Sequence, residues 1–164
     1  LRDRGYRLQH FEHTLARSLD PLIPLPPLPD GIDTAAIGEN QQADYVRMVM
    51  RGFEMPESPE LLRMFLSMVA AEGSSGYLAA AGGVLAGGAG LQMHDGAALF
   101  AGDGTLPEMR GRRVQSALIA HRLRVATDRG CDLAAACVMP GSTSHRNYER
   151  AGFRVAYTKA IFAA

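Results

Sequence analysis

The 164-residue sequence has no surplus of charge, with seventeen Lys and Arg set against seventeen Asp and Glu. That balance excludes the global positive field that draws a protein onto nucleic acid or an anionic membrane, so basic clusters have to be read locally. No apolar run approaches the ~20 residues that span a bilayer and no signal-peptide pattern opens the sequence, which predicts a soluble, cytoplasmic chain with no membrane partner. Cysteine is scarce. Cys131 and Cys137 fall in one strand-like run, "CDLAAACVM", about 20 Å apart along an extended backbone, too far to bridge each other. They read as core thiols of a reduced compartment. No Cys or His cluster has metal-ligand spacing, so no metal is expected. The length suits one domain with a real core and leaves no room for two catalytic ones.

Punctuation, by contrast, is plentiful. "PLIPLPPLP", residues 21–29, holds five of the nine prolines; it favours extended geometry and reads as a linker between an N-terminal segment, 1–20, and a body, 30–164. In the body, "IDTAAIG" (32–38) suits a strand, and "NQQADYVRMVMRGF" (40–53) has apolar residues at helical spacing. "SPELLRMFLSMVAAEG" (58–73) is a clearer helix, with Ser58 as N-cap, Pro59 in the first turn and Gly73 after the end. Residues 76–106 run apolar around an Asp95-Gly96 hairpin signal and predict three antiparallel strands. A helix is expected over 112–129, with Arg113, Ala117, His121, Arg124 and Asp128 on one wet face; Gln115 and Arg122 intrude on its apolar arc. Residues 131–139 then suit a strand buried on both faces, followed by a short helix over 142–150 and a last strand over 153–162. The alternation predicts a mixed α/β sheet.

One junction carries chemistry. In "LPEMRGRRVQSAL", residues 106–118, a basic turn runs from a strand into a helix. The free N–H groups of a first helical turn and the helix dipole together bind a pyrophosphate. The same residues also suit a solvated basic turn.

"TLPEMRGRRVQSALI" and, further on, "NYERAGFRV" resemble the GCN5-related N-acetyltransferase (GNAT) family, in which the two segments read like "hPEYRGRGIGSALL" and "LYEKLGF" at this separation. The resemblance implies a mostly antiparallel, twisted sheet with splayed central strands, flanked by helices. It also implies acetyl-CoA as co-substrate and an amine of a small molecule or peptide as acceptor. The family's phosphate pattern falls on Arg110, Arg113 and Gln115, so both of its later glycines are replaced. Gly111, Arg112, Val114 and Ser116 complete the expected phosphate site, and Asn147 is placed to approach the pantetheine arm or is an ordinary helix-surface amide. Motif position puts the strand edge that pairs with that arm at Gly104, Thr105 and Leu106, where Gly102 and Gly104 leave room or mark a bulge.

A glycine is obligatory only where φ is positive or where a ligand would meet a Cβ. A right-handed first turn needs neither, so Arg113 is expected to preserve the site and to offer a charge to a phosphate oxygen. Transfer requires an amine to lose a proton, attack the thioester carbon and expel a thiolate. The resemblance assigns Tyr148 as general acid; a packed helix tyrosine is its structural alternative. Asp103, on the strand face of Thr105, is a candidate base or an ordinary Asp-Gly turn residue. His94 and His145 are weaker candidates, and Glu54, Glu57 and Glu60 are acceptor-side carboxylates that the helix dipole explains equally well. A non-catalytic domain of this fold, binding CoA or a protein partner, is the alternative function. RNA binding through Arg110, Arg112 and Arg113 lacks an aromatic platform. A homodimer is left open.

Finally, "RGYRLQHFE" at the start echoes "AGFRVAYTK" when Gly5 is laid on Gly152. The glycine and the Arg two residues later are identical, and Tyr6 and Leu8 match Phe153 and Val155 in type. The echo makes the N-terminal segment a candidate tail of a second unit of the same kind, or a chance helix-end-to-strand pattern.

Overall fold

The computed structural model describes residues 4–163. In chain order the elements are β1 (Arg7–Ser18), β2 (Ile32–Ala36), α1 (Gln42–Gly52), α2 (Pro59–Val69), β3 (Ser74–Ala81), β4 (Val84–His94), β5 (Ala97–Thr105), α3 (Val114–Asp128), β6 (Leu133–Val138), α4 (Thr143–Arg150) and β7 (Arg154–Ala163). Local chemistry sets most boundaries. Ser58 caps α2 by accepting from the Leu61 N–H at 3.2 Å, with Pro59 opening the first turn. Asp95 and Gly96, both at positive φ, close the β4–β5 hairpin as the sequence predicts, and Gly82-Gly83 does the same between β3 and β4.

All seven strands lie in one sheet, in the order β2-β3-β4-β5-β6-β1-β7. Every neighbouring pair is antiparallel except β5 and β6, which run parallel only from Ala97–Phe100 against Leu133–Ala136. Beyond Phe100 the two strands part. Successive residues of β4 set the layers: Gly88 and Gly90 face Tyr45 of α1, while Gly87 faces Val114 of α3. Helices α1 and α3 therefore cover opposite faces.

Three expectations are corrected. The N-terminal segment does not stand apart from the body: it is β1, held between β6 and β7, with Leu15 and Leu19 at 0% and 4% exposure. Arg17 of β1, itself buried, donates to the Ala151 and Pro24 carbonyls, and Arg124 of α3 donates to Pro26 at 2.9 Å, so the Pro-rich stretch is strapped across α3 and the end of α4. The expected wet face of α3 is only partly wet: Arg113 and Asp128 are exposed, but His121 and Arg124 are half-buried and Ala117 is fully buried, while Arg122 is buried with the apolar arc on which it falls. Strand β6 is buried on one face only. Ala134, Ala136 and Val138 point into the core while Leu133 and Cys137 are exposed, so Cys131 is a buried thiol and Cys137 a surface one.

Candidate active site

Where β5 and β6 part, the gap opens into a cavity of about 940 Å³. Its floor begins with a bulge. The β4–β5 register slips between Gly88↔Gly104 and Gly90↔Ala101, so Gly102 and Asp103 together oppose Ala89, and Gly102 takes φ +66°. Asp103 thereby meets the helices on the α3 side. Its carboxylate accepts from Arg122 and from the Tyr148 hydroxyl in short contacts, and from Gln115 Nε2 at 3.1 Å.

Arg122 is fully buried, yet every part of its guanidinium is used. It donates to Leu118 O at 3.1 Å and Gly90 O at 2.7 Å besides Asp103, and it lies 4.6 Å over the Phe100 ring. Tyr148 is 1% exposed, with Phe153 edge-on at 4.9 Å. Burial, then the Asp103 charge, pushes its phenol well above the ordinary tyrosine value.

The other expected residues divide clearly. Thr105, Arg110, Gly111, Arg113, Val114, Gln115, Ser116, Asn147 and Asp103 line the cavity. Tyr148 does not: it is buried, and its hydroxyl donates to Asp103, which does reach the cavity. Gly104 does not either, because its missing side chain admits α1; a Cβ there would stand 2.8 Å from Val49 O, and one on Gly52 would stand 2.6 Å from the Gly104 backbone. Leu106 is buried and spends its N–H on Ala86 O at 3.0 Å. Arg112 is exposed beside the cavity, outside its lining. His94 sits at the far hairpin, and His145 accepts from the Gly141 N–H at 3.1 Å within the turn entering α4. Glu54, Glu57 and Glu60 are drawn into ion pairs with Arg110, Arg47 and Arg63.

The mouth is the start of α3, and here the reasoning about Arg113 is overturned. Arg113 is the N-cap, not a helical residue, and sits at φ +64°, ψ 16°, so this is a position that does favour glycine. No side chain caps α3, and Ala117 is the first residue to bond back, to Arg113 O at 3.0 Å. The N–H groups of Val114, Gln115 and Ser116 thus precede the first helical bond, as a phosphate site requires. Arg112 and Arg113 make no ion pair among the described residues, whereas Arg110 is turned toward Gly52 O and Glu54 at 3.0 and 2.9 Å.

Sequence reasoning named Asn147 but missed the rest of two walls. One is the start of α4: Ser144 Oγ accepts from Gln115 Nε2 at 2.8 Å and Asn147 Nδ2 donates to Gln115 Oε1 at 2.7 Å, so Gln115 ties β5, α3 and α4 together. The other is Pro26, Pro27 and Pro29 of the strap, which no composition rule marks as site residues. Arg122 did leave a signal, as the one guanidinium on the apolar arc of α3.

Comparison with known proteins agrees with this architecture. No curated protein matches the chain. Among solved structures, a GCN5-related N-acetyltransferase from Sphaerobacter thermophilus is 26% identical with a TM-score of 0.79, covering 98% of this chain and 53% of that one. A tandem GNAT protein from the clavulanic acid biosynthesis pathway is 18% identical with a TM-score of 0.68, covering 98% of this chain and 55% of that one. AAC(6')-Iy, solved with a CoA bisubstrate analogue, is 22% identical with a TM-score of 0.65, covering 81% of this chain and 97% of that one. The chain thus spans just over half the length of the first two. The family model described as Acetyltransferase (GNAT) family matches residues 43–153, which takes in α1, the splayed strands, α3 and the start of the last strand's junction. A splayed sheet, an uncapped α3 behind a basic turn and this match agree: the chain belongs to the GNAT acetyltransferase family.

Proposed function

We propose that this unit binds acetyl-CoA at the mouth of α3 and transfers the acetyl group to an amine of a small molecule or peptide. The observation that carries the reading is the uncapped first turn of α3, opening beside Arg113 into the cavity between the splayed strands. A pyrophosphate there would take the free N–H groups of that turn, each charge–dipole contact contributing ~0.3–1 kcal/mol and each charge-assisted hydrogen bond ~1.5–3 kcal/mol. Among described site-lining groups Asp103 is the carboxylate that reaches the cavity, and we assign it to accept the amine's proton, through water. The amine nitrogen bonds to the acetyl carbon, the carbon–sulfur bond breaks, and the thiolate is reprotonated from solvent. Tyr148, buried behind Asp103, serves as a positioning residue and not as the acid at sulfur. That AAC(6')-Iy was solved with the bisubstrate analogue CoA-S-monomethyl-acetylneamine supports an amine acceptor.

A second reading has its own observation. Gln115 clasps β5, α3 and α4 across the gap, and the phenol the family uses at this position is buried with its hydroxyl committed to Asp103, as in a unit that binds CoA without turnover. Calorimetry with acetyl-CoA combined with thiol release over an amine panel separates the two. Binding with turnover lost in Asp103→Asn, and with a shifted pH profile in Tyr148→Phe, supports the enzyme. Binding with no thiol release for any amine supports the second reading, and no binding at millimolar acetyl-CoA defeats both.

A further inference from the structure

We infer that the open edge of β7 docks a second unit of this same fold, one that runs into β1 through Gly5 as this body runs into β7 through Gly152, so that the two units share a continuous sheet. The inference rests on backbone pairing, not on the proposed activity. Gly5 and Gly152 both have positive φ, 82° and 90°, and β1 and β7 both begin at the Arg two residues on. The β1–β7 ladder obeys the equivalence that the sequence echo defines. Its centre pairs Glu12 with Lys159, positions the echo lays on each other. Every other pair returns with the strands interchanged: His13↔Thr158 with Phe11↔Ala160, Thr14↔Tyr157 with His10↔Ile161, Leu15↔Val155 with Leu8↔Phe162. The irregularities agree as well, since the register skips Gln9 in β1 and its counterpart Ala156 in β7. The two strands are related by a local two-fold axis between Glu12 and Lys159.

That axis fixes what belongs beside β7. The outer side of β1 is held by β6 through His13–Ser18, and Leu15 there is fully buried. The same rotation sets a β6-like strand of the other unit along Ala160–Ala163. Phe162, the counterpart of Leu15, is 39% exposed on this edge strand, and Tyr157 is 56% exposed. The residues on the axis identify the occupant. In a dimer of identical chains an axial residue faces its own copy, and like charges directly opposite repel. Here Glu12 faces Lys159 and pairs with it at 2.5 Å, so the axis joins two strands of different sequence, as two diverged units in one polypeptide would, and the occupant we infer is a second unit joined through Gly5.

Hydrogen exchange on the complete natural polypeptide tests this. An edge strand leaves alternate N–H groups open to water, so docking requires slow exchange at every amide of Ala160–Ala163, as at His13–Ala16 of β1. Fast exchange at alternate amides of β7 in the complete polypeptide overturns the proposal, as does a polypeptide with no related fold ahead of Gly5. Protection that grows with protein concentration assigns the edge to a second copy and overturns it too. As an independent readout, Phe162→Asp is expected to lower the Tm of the complete polypeptide by several degrees, as Leu15→Asp does; a Tm unchanged by Phe162→Asp alone refutes the docking.

Discussion

The floor and the mouth of one cavity handle charge by opposite rules. At the floor, Arg122 is hidden from water and Asp103 shows the cavity only a small edge of its carboxylate, and their polar contacts are made within the protein. At the mouth, Arg112 and Arg113 are exposed, unpaired among the described residues, and set against an uncapped helix start. A buried charge loses its hydration and has to be repaid by fixed partners, whereas an exposed one keeps its hydration and stays available to a ligand. Stability should therefore reside in the floor and anion binding in the mouth.

The sharpest way to break that contrast is Arg122→Met. It leaves Asp103 buried without its cation, and the expected loss is about 3–5 kcal/mol in urea unfolding. Arg122→Met with Asp103→Leu should recover much of it, because an apolar pair of similar volume replaces an ion pair at little net cost. A single-variant loss below about 1 kcal/mol would show that the floor is not what holds the splayed strands together.

Next in size is Arg113→Gly. Relief of the left-handed backbone is expected to raise stability by about 1 kcal/mol, while Arg113→Ala, which keeps a Cβ, gains nothing comparable. The same glycine variant should weaken acetyl-CoA binding severalfold at low salt, and less at high salt, if the guanidinium meets phosphate. Tighter binding in Arg113→Gly would mean that the side chain obstructs the mouth.

The smallest effect lies outside both regions, at His121 on the β2–β3 side of α3, which bonds Thr34 Oγ1 through Nδ1 at 2.9 Å. Burial, and then the Arg122 and Arg124 charges, hold its imidazole below the ordinary value of 6.5. The unfolded chain therefore takes up this proton first, and the stability linked to it is present above about pH 6.5 and lost as pH falls through that value. Thermal melts from pH 8 to 5 should show the decline, and His121→Asn should flatten it.

Most of the elements were legible because their signals are local. Ser58-Pro59, Asp95-Gly96 and the start of α4 at Ser142 each act through bonds within a turn or two. The phosphate mouth was legible for the same reason, being one contiguous segment. The conformation of Arg113 was not. The segment holds Gly111 and Arg113 at positive φ, and reading the helix as starting at residue 112 placed its start two positions too early. Nor were Gly104 and Gly52 legible as a close approach of α1 to β5, because each glycine acquires its purpose from a backbone some fifty residues away in sequence.

The sequence by itself determined the alternation of strands and helices, the basic turn into α3 and the echo between Gly5 and Gly152. Tertiary structure alone decided that Arg122 is the floor's buried cation, that Tyr148 is buried with its hydroxyl on Asp103, that prolines of the strap form a wall and that β1 lies inside the sheet. Helix caps and hairpin turns are closed by neighbours along the chain, so their residue types are sufficient to announce them. Burial, charge pairing and strand order depend on which distant segments arrive at the same place, and no local pattern records that arrival.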